Sequence, residues 1–249
     1  KGTMFLRSGW SDDGSIMVFK SGPNSNHYHI DQGSLILLTN GEVLLSEGSL
    51  ETFKGYHAYY ANPFYPFYTT QAVGHNVMLV DGDPESQLQA DYRNGIAALQ
   101  DWPRITHSFA GWKADEVEGD LTCVYKGKLE KYTRSLMFAK PDIYFLYDRV
   151  KSPEAHSFQW LFHTEDTDRN SAITQDGTRF RIERPKARMV MDVLSPDVTA
   201  RVRLAERDER FLQLSSAKGL KEAEFLAVMV PAAKKDANAP EIKDRKSVV

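Results

Sequence analysis

Cysteine is nearly absent: Cys123 is the only one in 249 residues. A single thiol excludes an intrachain disulfide and any zinc site built from cysteines, and it is read as a small buried hydrophobe. No run of ~18 apolar residues occurs, so no membrane-spanning helix is expected, and residues 1–20 do not read as a signal peptide. Neither charge is in excess, with 31 Lys and Arg against 34 Asp and Glu and a net charge of −3. Generic nucleic-acid binding needs a strongly basic surface, so neither nucleic acid nor membrane is expected as a partner. A local basic groove for an acidic polymer remains compatible with this balance. Convincing 3.6-residue periodicity is also missing, and only residues 91–99 could form a helical turn. Internal repeats and low-complexity linkers are absent.

What is present suits a globular core: 41% hydrophobic and 26% charged residues. Short strand-like segments fill the chain at residues 5–9, 16–20, 34–38, 42–45, 75–81, 133–139, 143–150, 157–163, 180–183, 189–194, 198–204, 211–215 and 225–230. Turn signals separate them. Asn40-Gly41 is a strong hairpin signal, and Asp81-Gly82, Lys140-Pro141-Asp142 and Asp176-Gly177 mark further reversals. The pattern predicts an all-β fold, a large antiparallel β-sandwich with few or no helices, as one domain over residues 1–249.

Histidine carries the candidate chemistry. Asn26-His27-Tyr28-His29-Ile30-Asp31 places residues 27, 29 and 31 on one face of an extended chain, and His75 follows in Gly74-His75-Asn76. Imidazoles and a carboxylate on one face suit a divalent metal or an anionic group. The plain alternative is a surface strand with coincidental histidines. His57, His107, His156 and His163 stand alone and are read as hydrogen-bonded structural residues.

Two metal sites can be drawn. His29, Asp31 and His75 would form the two-histidine, one-carboxylate triad of a non-haem iron oxygenase or cupin-like protein. That reading is weakened because the nearest following arginine is Arg93, and Gly33 stands where a cupin has glutamate. His29, Glu47 and His75 form the other site. A regular hairpin around Asn40-Gly41 pairs residue 47 with residue 34, leaving Glu47 about 16 Å along the strand from His29 and on the wrong face. Glu47 therefore needs a kink between Asp31 and Ser34, which Gly33 permits, and a β-bulge that restores the parity. A third feature is Tyr56 to Tyr68, which holds seven aromatic rings and two prolines. Such a loop either stacks on sugar faces or plugs one end of the sandwich.

Phe5-Leu-Arg-Ser-Gly-Trp10, Asn26-His-Tyr-His-Ile-Asp-Gln-Gly-Ser-Leu35, Leu44-Leu-Ser-Glu-Gly48 and His75-Asn-Val-Met-Leu-Val-Asp-Gly82 together resemble the heparinase II/III-like polysaccharide lyases, including related alginate lyases. The stretches at residues 132–138 and 143–150 also fit, so the resemblance covers most of residues 4–163. It implies the C-terminal β-sandwich of a lyase that cleaves an acidic, uronate-containing polysaccharide by β-elimination. The partner within the same protein would be an N-terminal helical toroid, for which these residues leave no room. That toroid supplies a tyrosine acid/base, so this segment alone is expected to be inactive. By the same resemblance His27 is catalytic, Asn26 and Tyr68 bind substrate, and His29 and His75 hold a structural zinc. The family's third ligand is Asp, and here Glu47 stands nearby with Ser46 beside it. The resemblance further implies a periplasmic or secreted bacterial protein. The alternatives are the iron or cupin-like metalloenzyme and a non-catalytic carbohydrate-binding domain using residues 56–68.

Overall fold

The structure, a computed structural model, describes residues 2–23, 29–47, 71–87, 102–125, 127–165, 170–195, 198–204 and 210–235. Asn26, His27, Tyr68, the aromatic stretch 56–68 and the possible turn at 91–99 lie outside the described residues. Alternating apolar and polar side chains commit the chain to strands buried on one face. These are β1 (Thr3–Arg7), β2 (Ser15–Lys20), β3 (Leu35–Thr39), β4 (Glu42–Leu45), β5 (Met78–Val80), β6 (Arg104–Ala110), β7 (Ala114–Asp120) and β8 (Lys131–Ala139). They continue with β9 (Ile143–His156), β10 (Phe158–His163), β11 (Ala172–Asp176), β12 (Arg179–Glu183), β13 (Ala187–Val193), β14 (Thr199–Leu204), β15 (Arg210–Ser215) and β16 (Leu220–Ala233).

Every pairing among them is antiparallel. One sheet has eight strands in the order β11-β12-β13-β16-β9-β8-β7-β6; two four-stranded sheets run β1-β2-β3-β4 and β14-β15-β10-β5. One apolar core joins all three: Met17, Phe19 and Leu35 from the first small sheet, Trp160 and Leu212 from the second, and Leu136, Leu146 and Phe225 from the large sheet. Trp160 of β10 stacks on Phe225 of β16 with ring centroids 4.6 Å apart. Strands β6, β7 and β11 have no counterpart in the sequence pattern. β6 and β11 are edge strands of largely exposed residues, and β7 reads Ala-Asp-Glu-Val-Glu-Gly-Asp, so neither type shows the apolar alternation of a half-buried strand.

A second, smaller apolar cluster lies on the other face of β10. Leu79, Leu161 and Phe211 are covered there by Ile30, Ala72 and Val77. β10 is therefore buried on both faces, and the segments that cover it are those carrying His29 and His75.

Local geometry completes the placement. Asn40 and Gly41 both adopt positive φ, 51° and 70°, as a two-residue turn matched to strand twist requires. The β3–β4 register then shifts between Leu37 and Leu38, so Leu38 pairs with Val43 but Leu37 pairs with Leu45. The extra residue, Leu44, is a bulge that turns both Leu44 and Leu45 inward and reverses the facing of the residues after it. Upstream, Ser34 N donates to Asp31 O and Gly33 N donates to Lys20 O, closing a tight turn in which Gly33 has φ +87°. A Cβ on Gly33 would meet Leu121 Cδ1 at 2.6 Å, whereas one on Gly41 would meet nothing within 4 Å. Gly41→Ala therefore carries the conformational cost alone, about 1–2 kcal/mol, and Gly33→Ala carries that cost plus displacement of Leu121. Urea unfolding is expected to show Gly33→Ala as the less stable variant, and equal midpoints would contradict this account of the turn.

Candidate functional site

The chain reversals above bring three side chains together. The coordinating atoms of His29, Glu47 and His75 all lie within 4.8 Å of one another, and no other such group occurs among the described residues. The kink at Gly33 and the bulge at Leu44 are the two departures from a regular hairpin that strand parity requires of Glu47. The His29 and His75 rings are 5.2 Å apart and tilted by 41°. His75 Nδ1 is 3.4 Å from Glu47 Oε1.

Each donor is held by its neighbours. Ile30, next to His29, inserts into the small cluster over β10. His75 follows the short 3-10 turn Ala72–Gly74 and donates its backbone N–H to Ala72 O. Asn76 is the clamp: its Nδ2 donates to Leu35 O at 2.6 Å and to Ser46 O at 2.7 Å, and its Oδ1 accepts from His163 N at 2.6 Å. The backbone around Glu47 is thus tied to β3 and β10 together, and Ser46 contributes through its main chain. Ser46 N also donates to His163 O. Gln32 and Gln87 exchange reciprocal bonds, Gln32 N to Gln87 Oε1 at 3.0 Å and Gln87 Nε2 to Gln32 O at 2.7 Å, which fix the turn after Asp31.

Beneath both loops lies Arg134 of β8. Its Nη1 donates to Gly33 O at 2.6 Å and to Asn76 O at 2.9 Å. Its Nε and Nη2 bind Asp148 of β9, with Nη2–Oδ2 at 2.7 Å. Arg134 and Asp148 are 1% and 0% exposed. Nothing in the strand pattern marks this pair, because both residues occupy inward positions that alternation assigns to apolar side chains.

Asp31 does not join the cluster. Lys20 Nζ lies 2.5 Å and 2.6 Å from its two carboxylate oxygens. A site of His29, Asp31 and His75 therefore lacks its carboxylate, and Glu47 stands in that place. Of the remaining histidines, His107 is exposed near Glu116 and His156 bonds Asp81. His163, read from sequence as isolated, is instead buried beside the cluster and stacked on Phe211 at 4.6 Å. Its place beside β15 and under His75 depends on sheet order, which the local sequence does not encode.

The donor set fits a divalent cation. Both ring nitrogens of His75 are buried with no hydrogen-bond partner, an arrangement that is costly unless a ligand satisfies it. Burial, and next the neighbouring His75, hold the His29 imidazole below its ordinary range, which favours the neutral form that a metal ligand needs. Burial alone would raise the Glu47 carboxyl, but the contact with His75 and the histidine charges outweigh it and bring it down to about 2. Two imidazoles and one carboxylate are a common ligand set for zinc.

The same groups set the acid response. Burial, then His75, pushes His163 from 6.5 down to about 3. The unfolded chain therefore takes up this proton first, and stability falls as pH drops from about 6.5 towards 3. Glu47 adds loss of the same sign between 4.5 and about 2. His163→Gln is expected to reduce the slope of unfolding free energy between pH 6.5 and 4.5 by up to about 1.4 kcal/mol per pH unit. An unchanged slope in urea titrations would show that His163 is not held neutral.

Three comparisons bear on this geometry. The profile of the family described as Heparinase II/III-like, C-terminal matches residues 2–240. Among solved structures, a heparan sulfate lyase from Pedobacter heparinus superposes with a TM-score of 0.71 at 16% identity, covering 93% of this chain and 35% of that one. A heparinase III superposes with a TM-score of 0.73 at 17% identity, covering 96% of this chain and 36% of its own. The chain thus spans about a third of the length of the solved proteins it matches. No curated protein matches its sequence. The fold agrees with these structures, the profile match covers nearly the whole sequence, and the chain belongs to the heparinase II/III-like C-terminal family.

Proposed function

We propose that this chain is the β-domain of a polysaccharide lyase that cleaves an acidic, uronate-containing polysaccharide by β-elimination. We further propose that zinc held by His29, Glu47 and His75 braces its catalytic loop. The observation that carries the metal reading is the convergence of these donors around buried, unbonded His75 nitrogens. The substrate class rests on family membership and on a relative of the same fold that is named a heparan sulfate lyase.

The reaction removes the proton at C5 of the uronate. Its electrons form the C4–C5 double bond, and the glycosidic oxygen leaves C4 and takes up a proton. The C5 proton is acidic only when the adjacent carboxylate is neutralised as charge develops in the transition state. His27, two residues before His29, is the group assigned here. Protonated, it donates to the carboxylate; neutral, it serves as base. Asn26 and Tyr68 are assigned to substrate contact. Zinc, when bound, supplies a cross-link between three chain segments. His29 then fixes the backbone just after His27. The remaining acid/base group, a tyrosine, comes from a helical toroid of the same protein, which acts outside the cytoplasm as a periplasmic or secreted enzyme.

The test is an absorbance assay for unsaturated uronate with the full-length, zinc-loaded protein on heparan-type, alginate and related polymers. Product is expected from at least one polymer, and His27→Ala is expected to lose about 100-fold or more of the rate while keeping its zinc and its circular dichroism. No product from any uronate polymer would overturn the lyase reading. Sugar binding without turnover would favour a carbohydrate-binding domain, and iron in the purified protein would favour an oxygenase.

A further inference from the structure

We infer that Arg134 is the positioning residue of the metal centre, holding in one frame the two segments that carry His29 and His75. The inference rests on the reading of that cluster as a metal site. Gly33 lies four residues after His29, and Asn76 directly follows His75. Their carbonyls converge on a single nitrogen, Arg134 Nη1, at 2.6 Å and 2.9 Å. Among the described residues no strand pairing links these two segments directly, because one precedes β3 and the other precedes β5, in different sheets.

The guanidinium has no freedom to swing. Its Nε lies 2.9 Å and 3.2 Å from the two Asp148 oxygens, and Nη2 lies 2.7 Å from Oδ2. Asp148 is itself anchored by Tyr132 Oη at 3.0 Å and Trp160 Nε1 at 2.7 Å. The geometry of β8, β9 and β10 is therefore passed through one planar fork to both ligand-bearing turns. Metal coordination tolerates displacements of only about 0.2 Å, so loosening this fork separates the ligands before the sandwich unfolds. A lysine retains the charge, but one ammonium cannot bridge a carboxylate and two carbonyls in fixed directions.

The experiment measures zinc dissociation from the full-length protein by competition with a chromophoric chelator, alongside thermal unfolding of the metal-free form. Wild type, Arg134→Lys and Phe180→Leu are compared. Phe180 is buried in β12, away from the site, and supplies a destabilised control. Arg134→Lys is expected to weaken zinc binding about 10–100-fold, the range seen when partners behind metal ligands are removed. Phe180→Leu is expected to lower the unfolding temperature with zinc affinity unchanged. Should Arg134→Lys fail to fold, the double variant Arg134→Met/Asp148→Leu removes both charges together and is expected to show the same loss of affinity. Wild-type affinity in the folded arginine variant would overturn the inference, as would an equal loss in Phe180→Leu. Absence of zinc binding in the wild type would overturn the metal reading itself, an outcome separate from either of these.

Discussion

The ion pair between Arg134 and Asp148 is the interaction on which the rest of the arrangement depends. Both groups are withdrawn from water, and burial of a charge is tolerated only when its partners are complete. They are complete here: the carboxylate accepts from the guanidinium, a tyrosine hydroxyl and an indole N–H, and the remaining guanidinium edge meets two backbone carbonyls. Removing one partner of such a pair typically costs about 3–5 kcal/mol, because the other is left buried and uncompensated. The network therefore fixes the relative positions of β8, β9 and β10 and of two turns outside the large sheet.

Above this frame the site is assembled by irregularities rather than by regular strands. A bulge at Leu44 redirects Glu47, a left-handed glycine at Gly33 redirects His29, and a 3-10 turn presents His75. Each irregularity is held by side chains that reach across sheets, Asn76 above all. Ile30, Ala72 and Val77 supply the apolar weight that presses both turns onto β10. At the centre of the site, the two nitrogens of His75 are buried without a hydrogen-bond partner, next to a carboxylate and a second imidazole. In the reading proposed above, a divalent cation takes up the lone pair of one His75 nitrogen and is shared by three donors from distant segments.

Much of this was legible in the residues. Period-two alternation locates the buried strands, and Asn40-Gly41 locates the hairpin, because both signals are local. Strand parity also isolates what Glu47 needs, a kink and a bulge, although it does not decide between Glu47 and Asp31. That choice is made by Lys20, whose side chain takes Asp31 across the β2 end. The edge strands β6 and β11 and the acidic β7 escape the pattern because the faces they expose carry no apolar stripe. Arg134, Asp148 and His163 escape it for the opposite reason: they are polar groups at core positions, and their partners are set by which strands are neighbours in space.

The central claim is that His29, Glu47 and His75 bind one metal ion. Anomalous diffraction at the zinc edge, from crystals of the protein grown with zinc, tests it most directly. The account predicts a single strong peak about 2.0–2.2 Å from a nitrogen of His29, a nitrogen of His75 and an oxygen of Glu47. A peak coordinated by Asp31 instead, or no peak between these three side chains, would contradict it.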